Sequence, residues 1–219
     1  GLDVGGPQGT VAVSAPSQNS LQVVVHGVAA HAGAEPEKGI SAIVVAAEAI
    51  TRMSLGRIDE ETTANIGVIS GGQATNIVCD RVEVRGEARS REPAKLAIQT
   101  QTMVNAFEEA AARHGATVDI EVTRAYAAYR LALEEPLLRL LADAASEVGL
   151  EPNYFDAGGG SDANVFNEAG VRITNISTGM AQVHTTQEHI SVVDMVRCAE
   201  WLLMALRLRA AAKIVLRTT

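Results

Sequence analysis

From Leu21 to Tyr126 the spacing of apolar positions switches between two residues and three to four. Leu21 to Gly27 (LQVVVHG) is β-branched and bounded by polar residues and glycine, which predicts a strand. Ser41 to Met53 carries apolar residues at helical spacing after Pro36 and Gly39 and reads as a helix. Thr63 to Ser70 is a strand ended by Gly71-Gly72, and Arg81 to Ser90 alternates with Val82 and Val84 on one face. Pro93 suits the first turn of a long helix running to about His114, where Gly115 stops it. Thr117 to Tyr126 alternates again. The order β-α-β-β-α-β is that of a ferredoxin-like domain, an antiparallel sheet with two helices on one face.

The flanking segments follow another rule. Thr10 to Ala15 is a short β-rich run closed by Pro16, Pro136 to Val148 is an amphipathic helix, and Tyr154-Phe155 leads into the loop Gly158 to Asp162. Asp162 is placed to cap a short helix to Ala169. Arg172 to Ser177 reads as a strand and Asp194 to about Leu208 as a last helix, apolar on one face. Alternating strand and helix predicts an α/β layer, with Thr10 to Ala15 part of it and the ferredoxin-like unit an insertion. The expected domains are therefore 1–18 with 129–219, and 19–128.

Composition narrows the function. A net charge of −8 and 3% aromatic residues leave neither the basic surface nor the stacking rings that nucleic-acid readers use, so no nucleic-acid partner is expected. No apolar run reaches the length of a membrane span and no secretory leader opens the chain, so no membrane is expected and cytoplasm is the default. Cys79 and Cys198 are far apart and in no CxxC arrangement, which favours two reduced, buried thiols. The chain opens at Gly1 without methionine and reads like the middle of a larger protein.

Several residues suit chemistry. His184 sits in VHTTQE after a strand and a glycine-containing loop, a setting for a metal ligand or general base, although a solvated or core histidine fits as well. Asp3 stands where a strand ends and reads alone as a turn residue. The loop Gly158 to Asp162 is either a plain turn or a presenter of backbone N–H groups to an anion or carbonyl. His31, Asn76 and Arg89, all in the inserted unit, are types that together grip a carboxylate and a developing oxyanion. Singly, none of them specifies an enzyme.

Taken together, HAGAEPEKGISAI from His31, ETTANIGVISGGQATNIVCD from Glu61, GEARS from Gly86, GGGSDAN from Gly158 and HTTQE from His184 change this. In order and spacing they resemble the M20 metallopeptidases, the family of peptidase T, glutamate carboxypeptidase and succinyl-diaminopimelate desuccinylase. LGRIDEETTANIG points most closely to the peptidase T-like members. The resemblance implies an α/β zinc-exopeptidase-like catalytic domain, part of which this chain carries, interrupted by a ferredoxin-like α+β lid through which two copies form a homodimer. It implies two divalent metal ions, zinc with cobalt or manganese as alternatives, and short peptides as substrates. By resemblance Asp3 matches the acidic ligand of one metal and His184 the histidine ligand of the other. His31 matches the lid histidine that reaches the partner's active site. Asn76 and Arg89 match residues that bind substrate carboxylate or backbone, and Ser161 and Gly179 match pocket-lining positions.

One departure stands out. The family's His-x-Asp pair, bridging aspartate and catalytic glutamate pair lie upstream of the motifs matched here, and no His-x-Asp occurs in the sequence. Asp3 and His184 leave one ligand per metal where about three are needed. The expectation is an aminopeptidase releasing the amino-terminal residue of tripeptides, with this chain inactive until an amino-terminal catalytic half joins it. The alternatives are a non-catalytic dimerisation and substrate-binding half of a split or truncated enzyme, or a carboxypeptidase or N-acyl amino acid amidohydrolase.

Overall fold

A computed structural model describes residues 1–215, with side chains to residue 211; residues 216–219, assigned above to the catalytic segment, lie outside the described residues. In chain order come β1 (Leu2–Gly5), β2 (Thr10–Ala15), β3 (Ser17–His26), α1 (Ala42–Arg52), β4 (Gly56–Arg57), β5 (Thr62–Gly71) and β6 (Arg81–Ser90). There follow α2 (Pro93–His114), β7 (Thr117–Tyr126), β8 (Tyr129–Arg130), α3 (Pro136–Glu147), β9 (Asn153–Asp156), α4 (Asp162–Glu168), β10 (Ile176–Met180) and α5 (Val192–Val215). Contacts divide the chain into two compact units, Pro16–Ala128 and the two segments on either side of it. The mixed α/β architecture with an inserted ferredoxin-like unit is the one expected.

In Pro16–Ala128 the sheet runs β4-β5-β6-β3-β7, antiparallel throughout. Period-two alternation decides which face is covered. Leu21, Val23 and Val25 of β3 and Val82, Val84 and Ala88 of β6 are buried together with α1 and α2. Gln18, Gln22, Arg85, Glu87 and Arg89 point to the other side by the same alternation. With so few aromatic residues, alanines let the helices close up: Ala42, Ala46 and Ala49 of α1 and Ala106, Ala110 and Ala111 of α2 are buried around Met103 and Phe107.

Two features of this sheet have local causes. Strand β3 starts at Ser17, not Leu21, because its polar opening is satisfied by side chains. Ser17 Oγ donates to the Tyr126 carbonyl at 2.7 Å and Asn19 Nδ2 to Thr100 Oγ1 at 3.0 Å. Gly86 sits where β5 bulges between Ile66 and Val68; a Cβ there would meet Ile66 Cδ1 at 2.6 Å and the Asn65 carbonyl at 2.7 Å, so only glycine fits.

The other unit has the order β1-β10-β2-β8, with β9 also paired to β2. All six residues of β2 are buried, and Val11, Val13 and Ala15 pack with Leu138 and Leu141 of α3 and Trp201 of α5. The Trp201 indole donates to the Leu141 carbonyl at 2.9 Å, so the largest buried ring leaves no polar atom unpaired. The strand expected at Arg172 to Ser177 lies instead at Ile176–Met180. Upstream of it, side chains take over ladder bonds: Asn167 Nδ2 donates to the Ile173 carbonyl, and Thr174 Oγ1 to the Ala12 carbonyl.

Candidate functional site

Strands β1 and β10 are parallel, so their carboxyl ends lie at one edge of the sheet, where ligands collect in α/β folds. Asp3 is exposed on β1, and His184 is exposed in the loop that follows β10. That loop is pinched shut by paired backbone bonds between Ala181 and His189, at 2.9 and 3.2 Å. Within it Gln182 and His184 take φ of 55° and 65°, a region non-glycine residues occupy at a cost. The strain is held by named bonds. The His184 N–H donates to Glu188 Oε2 at 2.7 Å, and Thr185 Oγ1 donates to the Gln182 carbonyl at 2.7 Å. Glu188 lies inside the HTTQE motif but was given no role from sequence; its i+4 spacing to His184 was the available signal.

Ser161, not Asp162, caps α4: its Oγ accepts from the Ala163 N–H at 3.2 Å, and Asn164 Oδ1 accepts from the Ser161 N–H at 2.9 Å. Asn175 Nδ2 also donates to Ser161 Oγ, at 2.8 Å, which ties the loop Gly158 to Ser161 to the segment entering β10. Gly179 has φ +85°, and a Cβ on it would meet Asp194 Cβ at 2.6 Å. That close approach seats the start of α5 against the end of β10.

In the inserted unit His31 and Asn76 belong to two facing loops. Backbone bonds join Ala32 N–H to the Asn76 carbonyl at 3.0 Å and Val78 N–H to the Ala30 carbonyl at 2.9 Å. The His31 Nδ1 accepts from the Gly33 and Ala34 N–H groups, both at 3.1 Å. Two donors on Nδ1 select the tautomer with hydrogen on Nε2, leaving that N–H to point away from the loop as a donor.

Arg89 is elsewhere. The loops of His31 and Asn76 adjoin the Arg81 end of β6, where Gly27 N–H donates to the Asp80 carbonyl. Arg89 is eight residues further along, roughly 27 Å at strand rise. There it pairs laterally with Gln18 and Thr63 and holds Glu87 through Nε to Oε1 at 2.8 Å and Nη2 to Oε2 at 3.0 Å. Glu87 raises the Arg89 pKa further. Within one copy, therefore, His31 and Asn76 lie together and Arg89 stands apart from them.

Among the described residues, no three His, Cys, Asp or Glu side chains come together where they could hold one ion. Asp3 and His184 are suitable donor types, but the chain's own residues do not make up a dinuclear centre.

Comparison with known proteins places this geometry. Residues 17–116 match the peptidase dimerisation domain of the M20 proteins. The aminopeptidase PepT of Bacillus cereus superposes with a TM-score of 0.85 at 42% identity, over 93% of this chain and 55% of that one. This chain carries an M20 peptidase dimerisation domain.

A tripeptidase from Staphylococcus aureus superposes with a TM-score of 0.90 at 35% identity, covering 94% of this chain and 55% of that one. The Bacillus subtilis protein YqjE is 44% identical over 199 residues, which is 91% of this chain and 54% of YqjE. The chain thus spans about half the length of these M20 relatives. The matched dimerisation domain contains His31, Asn76 and Arg89, and its name fits a unit built to self-associate. Both cysteines are buried and unpaired. No described helix is long and apolar enough to cross a membrane.

Proposed function

We propose that this chain is the dimerising and substrate-gripping portion of a metal-dependent exopeptidase that releases the amino-terminal residue of short peptides, tripeptides foremost. The observation that carries the reading is the separation of His31 from Arg89 along β6, with His31 presenting an Nε2 donor. Two groups that serve one short peptide from opposite ends of the lid must come from two copies. In the homodimer, Arg89 of one subunit binds the substrate carboxylate. His31 and Asn76 of the other subunit reach across to the scissile carbonyl. The His31 Nε2–H then donates to the oxygen as it gains charge, the role of an oxyanion-hole donor, while the Arg89 guanidinium fixes the peptide's register.

Two divalent ions, zinc with cobalt or manganese as alternatives, belong to this reading. Asp3 and His184 would each supply one ligand, with Ser161 and Gly179 lining the pocket, and the remaining ligands would come from polypeptide beyond this span. The similarity to a PepT aminopeptidase and a tripeptidase supports the substrate class. A cytoplasmic location belongs to the same reading.

Complementation tests the reading. In the full-length protein at tripeptide concentrations below KM, His31→Ala and Arg89→Ala are each expected to lose most of the activity, the first through kcat and the second through KM. Mixed dimers of the two variants would carry one intact site, with His31 and Arg89 drawn from different subunits. Recovered tripeptidase activity on co-expression is the expected result; no recovery with dimers verified by mass would sink the two-copy arrangement. A second reading, a binding half without catalysis, starts from the described residues bringing no three metal-ligating side chains together. Added zinc, cobalt or manganese failing to produce hydrolysis in the full-length protein would support it.

A further inference from the structure

We propose that Glu188 is a positioning residue: its carboxylate holds the backbone of His184 in the left-handed conformation that sets the direction of the imidazole. The inference rests on the reading of His184 as a metal ligand and goes beyond it by naming the group that aims that ligand. Residues 182–188 form a closed loop between β10 and α5, its neck made by the two backbone bonds between Ala181 and His189. Inside it the chain turns tightly. The Thr185 N–H donates to the Gln182 carbonyl and the Glu188 N–H to the Thr185 carbonyl, both at 3.2 Å. Thr185 Oγ1 accepts from the Gln187 N–H at 3.2 Å. These bonds fix the loop on either side of His184, and none of them engages His184 itself. Its N–H has another acceptor, Glu188 Oε2 at 2.7 Å.

Two considerations separate this bond from ordinary loop bonding. At φ 65° an L residue brings its Cβ against its own carbonyl oxygen, and glycine is the residue that sits there freely. Histidine stands in that place, so the loop carries a cost that only the side chain can justify. A return to negative φ would rotate the Cα–Cβ bond about the N–Cα axis and carry the imidazole to another direction. Burial, moreover, does not demand the bond. His184 and Glu188 are both exposed, so water would satisfy the N–H and the carboxylate equally well. What Glu188 adds is a charge-assisted acceptor that meets the N–H in the left-handed turn and favours that turn over the relaxed one. A ligand aimed by its own main chain needs such a support, since metal sites depend on partners that orient the first ligands.

The test compares Glu188→Ala, which removes the acceptor, with Glu188→Gln, whose amide oxygen still accepts the N–H. In this chain without metal, Glu188→Ala should speed hydrogen exchange of the His184 amide by roughly tenfold or more, the worth of a hydrogen bond to a charged group. Glu188→Gln should stay close to wild type. In the full-length protein, zinc titration by calorimetry should show one site weakened roughly ten- to a hundredfold by Glu188→Ala, as loss of a ligand's supporting partner does. Glu188→Gln should restore it. Circular dichroism of each variant establishes that it is folded; should the alanine variant fail, Glu188→Met, which fills the same space without an acceptor oxygen, replaces it. Unchanged exchange or unchanged zinc affinity in Glu188→Ala overturns the proposal. So does a Glu188→Gln variant as weak as Glu188→Ala, which would make the charge itself the working group. His184→Ala separates this result from the metal reading. Zinc affinity unchanged there removes His184 from the metal, whereas affinity lost in His184→Ala and kept in Glu188→Ala removes only the positioning role of Glu188.

Discussion

Arg89 and Glu87 stand two residues apart on the open face of β6 and are locked edge to edge by two hydrogen bonds, Nε to Oε1 at 2.8 Å and Nη2 to Oε2 at 3.0 Å. Both side chains are about two-thirds shielded, so the guanidinium plane is fixed rather than free to search. A fixed plane at the far end of β6 from His31 suits a residue that sets substrate position. In the full-length protein, Arg89→Ala should raise KM for tripeptides with a free carboxylate by roughly ten- to a hundredfold, the worth of a charged hydrogen bond. Carboxyl-amidated tripeptides should be little affected. Steady-state kinetics on the two substrate sets decides it; equal effects on both would remove Arg89 from carboxylate recognition.

His31 makes a contrasting prediction, because its imidazole is aimed by backbone rather than by a charge. The Gly33 and Ala34 N–H groups hold Nδ1 and leave Nε2–H as the working donor. His31→Ala in the full-length protein should lower kcat by about 10²-fold or more with a small change in KM, the pattern of a contact made mainly in the transition state. The residue is exposed, so thermal stability should change little. A KM effect with unchanged kcat would make His31 a binding residue only.

The contrast between these two residues shows where sequence sufficed. Strands and helices with apolar periodicity were legible, as in Arg81–Ser90 and Pro93–His114, because burial and alternation share a cause. Ser17–Ser20 and Thr174–Asn175 were not, since the polar side chains of Ser17, Asn19 and Asn175 find particular partners in Tyr126, Thr100 and Ser161 that no period records. The residue types at the site were legible through motifs. The assignment of His31 to a partner's site was legible only by resemblance; the physical distance between His31 and Arg89 comes from the run of β6. Glu188 went unassigned because its partner is a backbone N–H, a bond with no signature in side-chain chemistry.

Acid stability of the inserted unit should depend on Asp59. Its Oδ1 accepts the Glu61 and Thr62 N–H groups, both at 2.8 Å, and Lys95 of α2 lies 3.2 Å from Oδ2. The Glu61 backbone bond, with Lys95 and Thr62 adding to it, lowers the Asp59 pKa from 3.8 to about 2. A carboxylate lowered on folding stabilises the native state above its unfolded pKa and loses that contribution as pH falls through the folded one. The window is thus between about 3.8 and about 2. Asp59→Asn should remove part of the stability lost across that window, measured as a flatter urea midpoint against pH. Parallel curves for wild type and variant would show that Asp59 is not a source of the dependence.

The two units also make separable cores, and this can be read by unfolding. Phe107 is fully buried among Leu21, Val23 and Met103, while Leu138 is fully buried beside Val11 and Trp201, and the two clusters share no residue. Phe107→Ala should cost the Pro16–Ala128 unit about 3–5 kcal/mol, the range for emptying a buried aromatic site. Expressed alone, residues 16–128 should fold in one cooperative transition and self-associate, and Phe107→Ala should lower its urea midpoint. In the whole chain, Leu138→Ala should shift a different transition by about 2–5 kcal/mol. Denaturation followed by the single Trp201, which lies in the Leu138 core, gives the assignment: its fluorescence should respond to Leu138→Ala and remain indifferent to Phe107→Ala. One shared transition moved equally by both substitutions would mean that the units unfold as one.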